Sequence, residues 1–219
     1  ISGIRPDYII HLAAQAGVRL SLKNSSSYIS ANVAGFQNIT RSSIENKVKG
    51  IVYASSSSVY GDSTPTPYKE ASISLRPKSL YGVTKLSNEL FAEIQSKSSN
   101  LRFRGLRYFT VYGPWGRPDM AYFRIAAAAL GQGKFTLFGD GTIKRDFTYI
   151  DDVVSALIKI SEKKDKKNYN VINIGNNKTI KLIDFIKEVE IILGTKAKKI
   201  FLPLQKGDVP NVRADVSKL

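Results

Sequence analysis

The sequence predicts an α/β chain: a doubly wound parallel sheet with a small α/β lobe over one edge. Three observations lead there. Short apolar runs fall at Tyr8–Leu12, Gly50–Ala54, Arg102–Arg107 and Val171–Ile174, as a sheet buried on both faces requires. Stretches of helical periodicity lie between the earlier runs, and strands alternating with such helices imply βαβ units. Beyond Arg107 the texture shifts to Gly, Pro and aromatic residues in shorter segments, which read as a lobe contributed by insertions.

Taken in order, the first strand ends on the small residues Ala13 and Ala14. A helix is expected from about Tyr28 to Asn46, with Ile29, Val33, Phe36, Ile39 and Ile44 on one face. The second strand runs into Ser55-Ser56-Ser57-Ser58. Another helix is expected from Leu80 to Ser98, with Leu80, Val83, Leu86, Leu90 and Ile94 inward. Tyr108 to Pro118 reads as a loop, Met120 to Leu130 as an alanine-rich helix ending at Gly131, and Gly133 to Asp146 as short strands and a turn. Asp151 and Asp152 suit the positive end of a helix. Leu182, Phe185, Ile186, Val189 and Leu193 mark one more.

Composition narrows the classes. A chain of 219 residues, 42% hydrophobic and 23% charged, is an ordinary globular domain, alone or with a small lobe. No apolar run approaches membrane-spanning length and no signal peptide is visible. The absence of cysteine excludes disulfides and thiolate metal sites and fits a reducing, cytoplasmic compartment. The lone His11 cannot build a zinc site, so no metal is expected. A net charge of +15 raises nucleic acid as a partner. Its lysines, Lys163, Lys164, Lys166 and Lys167 among them, are scattered without interleaved aromatics. They read as solvated faces, and no nucleic-acid partner is expected. The same field would steer an anionic small substrate. The chain begins with Ile1 and stops at Leu219, and both ends are expected to be cut.

The chemistry is written in one spacing. Tyr81 and Lys85 stand four apart, and Ser56 lies twenty-five residues before Tyr81 at the end of a strand. On a helix, that spacing puts phenol and ammonium on one face. A nearby cation favours the phenolate, and a serine hydroxyl can share the substrate's proton. Ligands of open α/β sheets gather at the carboxyl ends of strands, where Ser56 lies. A glycine-rich dinucleotide turn is missing, and Gly139-Asp140-Gly141 does not supply one because neither a third glycine nor a helix follows. The chain is therefore expected to start roughly 60 to 80 residues into such a fold.

Together these stretches resemble the extended short-chain dehydrogenase/reductase family, and more narrowly its nucleotide-sugar epimerases. Leu106 to Met120, with Tyr112-Gly113-Pro114-Trp115-Gly116-Arg117-Pro118 at its centre, is similar to the loop of UDP-glucuronate 4-epimerases. The resemblance implies a Rossmann-like fold lacking its first βαβ phosphate-binding half. Residues 1–112 would form a partial NAD-binding domain and 113–219 mainly a UDP-sugar lobe, with segments around 147–175 returning to the sheet. Its implied activity is NAD-dependent 4-epimerisation of a UDP-sugar, UDP-glucuronate to UDP-galacturonate, through a transient 4-keto sugar.

The implied catalytic residues are Ser56, Tyr81 and Lys85. Leu12, Ala13, Ala14, Gln15, Asn32, Tyr108 and Val111 would meet NAD, as would Tyr81 and Lys85. Ser57, Ser58, Thr110, Arg117, Lys134, Phe135, Arg145, Gln205 and Asp208 would meet the UDP-sugar. An arginine fork matches a carboxylate bidentately, which suits Arg117 to the sugar acid, with Thr110 beside it. Two positions depart from relatives: Gln205 stands where an Arg is common, and Ser56 where some carry Thr. Dehydratases and decarboxylases place acids where Ser57 and Ser58 stand, so elimination is disfavoured. A homodimer through the Tyr81 helix is expected. A neutral-sugar 4-epimerase, for UDP-glucose or UDP-N-acetylglucosamine, and a non-catalytic nucleotide-sugar-binding fragment remain alternatives.

Overall fold

The structure, a computed structural model, describes residues 1–163, 167–204 and 209–219. The first half runs β1 (Tyr8–His11), α1 (Val18–Lys23), α2 (Ser25–Tyr28), a π-helical segment (Ile29–Ala34), α3 (Gly35–Glu45), β2 (Gly50–Ser56), a 3₁₀ turn (Ser57–Val59) and α4 (Leu80–Ser98). The second half runs β3 (Arg102–Tyr108), β4 (Thr110–Tyr112), α5 (Ala121–Ala129), β5 (Phe135–Phe138), β6 (Lys144–Arg145), β7 (Phe147–Tyr149), α6 (Ile150–Glu162), β8 (Tyr169–Ile174), β9 (Ile180–Lys181), α7 (Leu182–Leu193) and β10 (Lys199–Leu202).

Four strands form one parallel sheet in the order β1-β2-β3-β8. Successive side chains on a strand point to opposite faces, and β2 shows what that does here. Ile51 and Tyr53 pack with Phe36, Ala92 and Phe103 on one side. Val52 packs on the other with Leu106, Val153, Leu157 and Ile172. Both faces of the sheet are therefore covered, the first by α3 and α4 and the second by α6, and the sheet is doubly wound. The β1 strand departs from the expected double burial: it is the sheet's edge, with Tyr8 and Ile10 half exposed. No helix among the described residues is long and apolar enough to cross a membrane.

Two helices bury only part of the face their apolar spacing indicates: Phe36, Ile39, Ile44 and Leu86 pack inward as expected, and other members turn out. Along α4 the buried residues are Gly82, Thr84, Lys85, Asn88, Glu89, Ala92 and Ser96. Val83, Leu90 and Ile94, expected inward, are exposed. A polar face can be buried only where partners await it, and they do: Lys85 donates to the Ala54 carbonyl at 2.7 Å, and Glu89 is paired to Arg107. In the helical stretch before β2, Ile29 is exposed while Tyr28, Asn32 and Phe36 are buried. The π turn at Ile29–Ala34 widens the local repeat, so the inward residues step by four. Such turns mark functional sites often enough that Asn32, which lies inside it, warrants a reason for its burial.

A second apolar cluster sits in the later chain, where Ile125, Phe135, Leu137, Leu182 and Ile186 join α5, β5 and α7. β5 pairs with β10. The expected loop after Tyr108 contains β4, which pairs in parallel with β7. Asp146 anchors that crossing: fully buried, it accepts from the backbone N–H of Asn176 at 2.7 Å and of Ala214 at 3.0 Å. These ties hold the later segments over the carboxyl ends of β2, β3 and β8.

Candidate active site

Close approach of backbone to backbone sets up the site. Ser79 caps α4 by accepting from the Gly82 N–H at 3.1 Å, a role serine fills well. Gly82 lies against the serine turn, where a Cβ would come within 2.6 Å of the Ser58 carbonyl oxygen. Only glycine permits that contact, and it brings Tyr81, the preceding residue, against the end of β2. There the Ser56 hydroxyl lies at the Tyr81 phenol and lowers its proton affinity. The same hydroxyl accepts from the Ser58 N–H at 3.1 Å, fixing its rotamer. One turn further along α4, Lys85 is buried with its ammonium 5.8 Å from the Tyr81 ring centre.

The charges at this point involve more groups than the sequence argument named. Burial raises the Tyr81 phenol above its ordinary value; the Ser56 hydroxyl and then the charge of Arg117 pull it back. Lys85 is itself pushed down to about 8 by burial. Lys85 stands beside the Tyr81 ring as the spacing requires, and Arg117 adds a second positive charge that lowers the phenol's proton affinity. That arginine projects from a loop thirty-six residues further along the chain, and only the folded chain brings it near.

Beside Tyr81, a set of hydrogen bonds clamps the loop after β1. Asn32 accepts from the Gln15 N–H at 2.7 Å and donates to the Gln15 carbonyl and the Thr84 hydroxyl, each at 3.0 Å. Tyr28 donates to the carbonyls of Ala16 and Gly17 and sets its ring edge-on to Tyr81 at 6.3 Å. Leu12, Ala13, Ala14 and Gln15 remain exposed at the carboxyl end of β1. Lys85 uses one of an ammonium's three donors on Ala54. A buried cation with spare donors, next to exposed small residues at a strand end, fits the ribose half of a nicotinamide dinucleotide. The glycine-rich turn that would hold its phosphates is absent from the sequence.

In front of the serine turn opens a cleft of about 440 Å³. Ser56, Ser57, Ser58, Tyr108 and Thr110 line its sheet side; Arg117, Phe135 and Arg145 line its lobe side. Arg145 donates to the Val209 carbonyl at 2.7 Å. Among the described residues three further cations line the cleft: Arg19 over the Phe138 ring at 4.9 Å, Arg124 over Phe135 at 5.7 Å, and Lys78, which pairs with Asp62. Among its described lining residues Asp119 is the one acid. A cationic cleft of this size suits a ligand with several negative charges.

Not every expected site residue gathers there. Lys134 is exposed and stands outside the cleft lining, and Tyr81, Lys85, Asn32 and Leu12 to Gln15 are not among the lining residues either. Val111 packs against the cluster under the sheet with Tyr108. Gln205 and Asp208 lie outside the described residues. Arg19, Arg124 and Lys78 received no role from the sequence. A lone cation in the otherwise uncharged helix Ala121–Ala129 is the signal that could have found Arg124.

Comparison with known proteins gives the geometry a lineage. Residues 1–175 match the model of the NAD dependent epimerase/dehydratase family. The CapI protein of Staphylococcus aureus is 42% identical over 98% of this chain and 69% of its own length. A probable UDP-glucuronate 4-epimerase of Rhizobium meliloti is 37% identical over 95% of this chain and 66% of its own. Among solved structures, the UDP-glucuronic acid 4-epimerase of Bacillus cereus in complex with UDP-glucuronic acid and NAD superposes with a TM-score of 0.90. It is 39% identical, over 97% of this chain and 67% of that one. The chain thus spans about two thirds of these relatives, and about half of a longer one from Arabidopsis thaliana. The matched residues and the shared architecture together settle its kinship: this chain belongs to the NAD dependent epimerase/dehydratase family.

Proposed function

We propose that the whole protein inverts carbon 4 of UDP-glucuronate to give UDP-galacturonate. One observation carries the reading: Arg117 lines the same cationic cleft as Ser56, whose hydroxyl lies at the Tyr81 phenol. A carboxylate-binding fork and a candidate base thus share one site. The activities named for the Rhizobium and Bacillus relatives support the same assignment.

In this reading Tyr81 takes the proton from the sugar's 4-hydroxyl, and Ser56 hydrogen-bonds the oxygen as its charge changes. NAD, when bound, supplies a cationic ring that accepts hydride and gives it back. Lys85 would hold its ribose and contribute its charge. Arg145, Arg124 and Arg19 balance the diphosphate. The 4-keto sugar turns over in the cleft before reduction on its other face. Because a ketone two carbons from a carboxylate favours loss of carbon dioxide, the carboxylate has to be held out of line with the carbonyl. Arg117 and Thr110 are the residues for that task, while the hydroxyls of Ser57 and Ser58 offer no strong acid or base for elimination. The test is to incubate the whole protein with UDP-glucuronate and NAD and resolve the products by chromatography and mass. An isomer eluting as UDP-galacturonate is expected. Product lighter by carbon dioxide would move the assignment to decarboxylation.

A second reading has a specific observation behind it. Arg117 is paired to Asp119, and a neutralised arginine would serve a neutral UDP-sugar. Turnover of UDP-glucose with none of UDP-glucuronate would favour it.

We also infer a homodimer through α4. Val83, Leu90, Phe91 and Ile94 expose an apolar stripe on that helix, and such a stripe on a surface helix marks an interface. Ile94→Lys is expected to shift the protein to monomer in sedimentation velocity, and wild-type protein running as a monomer at micromolar concentration would sink the idea.

A further inference from the structure

Arg117 is the cation on which the acid-sugar reading turns, and the chain supplies its own grip on it. Nε donates to Asp119 Oδ1 at 2.9 Å and Nη2 to Oδ2 at 3.0 Å. Asp119 therefore occupies the side edge of the guanidinium. Nη2 also reaches the Met120 sulfur at 3.7 Å, and Nη1 takes no partner among the described residues. The backbone makes this pairing local: the Met120 N–H donates to the Arg117 carbonyl at 3.1 Å, closing a turn over Pro118 and Asp119. Proline at the second place of such a turn presets its angle. The Arg124 N–H then donates to the Met120 carbonyl at 3.2 Å, so the turn leads directly into α5.

An arginine side chain is long and flexible, while bidentate capture of a carboxylate requires one orientation. Here the side edge is already fixed by a residue anchored at the start of a helix; on the end edge Nη1 is left for a ligand in the cleft, and the second Nη2 hydrogen meets only the Met120 sulfur, a weak acceptor that a carboxylate oxygen displaces. Resting on the acid-sugar reading above, we propose that Asp119 is a positioning residue for the substrate's carboxylate, pinning Arg117 so that its end edge forms a ready fork. The charge of Asp119 opposes an incoming carboxylate, so the two effects have opposite signs and an experiment can separate them.

The experiment compares Asp119→Ala, Arg117→Ala and the double variant of the whole protein. It reads kcat and KM for UDP-glucuronate and calorimetric affinity for both UDP-glucuronate and UDP-glucose. Asp119→Ala is expected to weaken UDP-glucuronate about fivefold, the scale of an exposed pair, with UDP-glucose affinity unchanged. In the Arg117→Ala background it should do nothing further, because its route of action is gone. Tighter binding of UDP-glucuronate in Asp119→Ala would show a competitor rather than a support and overturn the proposal. Equal weakening of both sugars, or a loss that adds to that of Arg117→Ala, would show a general structural role and overturn it as well. If Arg117→Ala lowers acid over neutral affinity while Asp119→Ala is silent, this inference alone falls. If Arg117→Ala leaves that ratio unchanged, the acid-sugar reading falls and takes the inference with it.

Discussion

Tyr81→Phe is expected to lower turnover by roughly a hundred- to ten-thousand-fold, the range for removing a positioned general base, while leaving UDP-sugar affinity and folding nearly intact. The geometry makes the substitution selective. The ring stays in its place edge-on to Tyr28, and α4 keeps its Ser79 cap and the Gly82 contact with the serine turn. Only the hydroxyl goes, and with it the group that faces the Ser56 hydroxyl. Steady-state turnover beside calorimetric binding checks it. A variant retaining a large part of wild-type kcat would mean that another group takes the proton.

Removing Glu89 should have the largest effect on stability. Its carboxylate accepts from Arg107 Nε at 2.9 Å and Nη2 at 2.7 Å and also from the Ser55 hydroxyl, with both charged side chains almost wholly buried. Glu89 thus joins α4 to β2 and β3 directly beneath Ser56 and one turn past Lys85. Breaking one side of a buried pair leaves an uncompensated charge, which costs about 3–5 kcal/mol. Glu89→Ala would then lower Tm by roughly 6 to 20 °C for a chain of this size. Arg107 also lies over the Tyr60 ring at 4.7 Å, so its position is held even when its partner is lost. Replacing both residues by methionine should recover much of the stability, because a buried pair gains little over apolar residues of similar size. Thermal melts of the three proteins test this; Glu89→Ala melting with wild type would show that solvent reaches the pair.

Much of this fold can be read from the chain, and the exceptions have identifiable causes. The strand at Gly50 and the helix from Leu80 to Ser98 stand out because an apolar run and a helical repeat of apolar residues are local signals. The inward face of α4 does not, since spacing alone assigns Val83, Leu90 and Ile94 to the core while Lys85, Asn88 and Glu89 are the residues buried. Their burial depends on partners on β2 and β3 that no window of sequence contains. The π turn before α3 escapes periodicity for a similar reason: one widened turn rotates Ile29 outward and Asn32 inward. At the site, Ser56, Tyr81 and Lys85 were legible through their spacing. The influence of Arg117 on Tyr81, and the gathering of Arg19, Arg124 and Asp119 around the cleft, arise from loops and helices that meet only in three dimensions.

The central claim is that carbon 4 is oxidised and reduced again within one closed site. The most direct test is to run the whole protein with UDP-glucuronate and NAD in D₂O and examine the product by mass and proton NMR. The account predicts UDP-galacturonate with no deuterium on carbon, because the hydrogen taken from carbon 4 returns to carbon 4. Deuterium at carbon 5, or a product that has lost carbon dioxide, would contradict it.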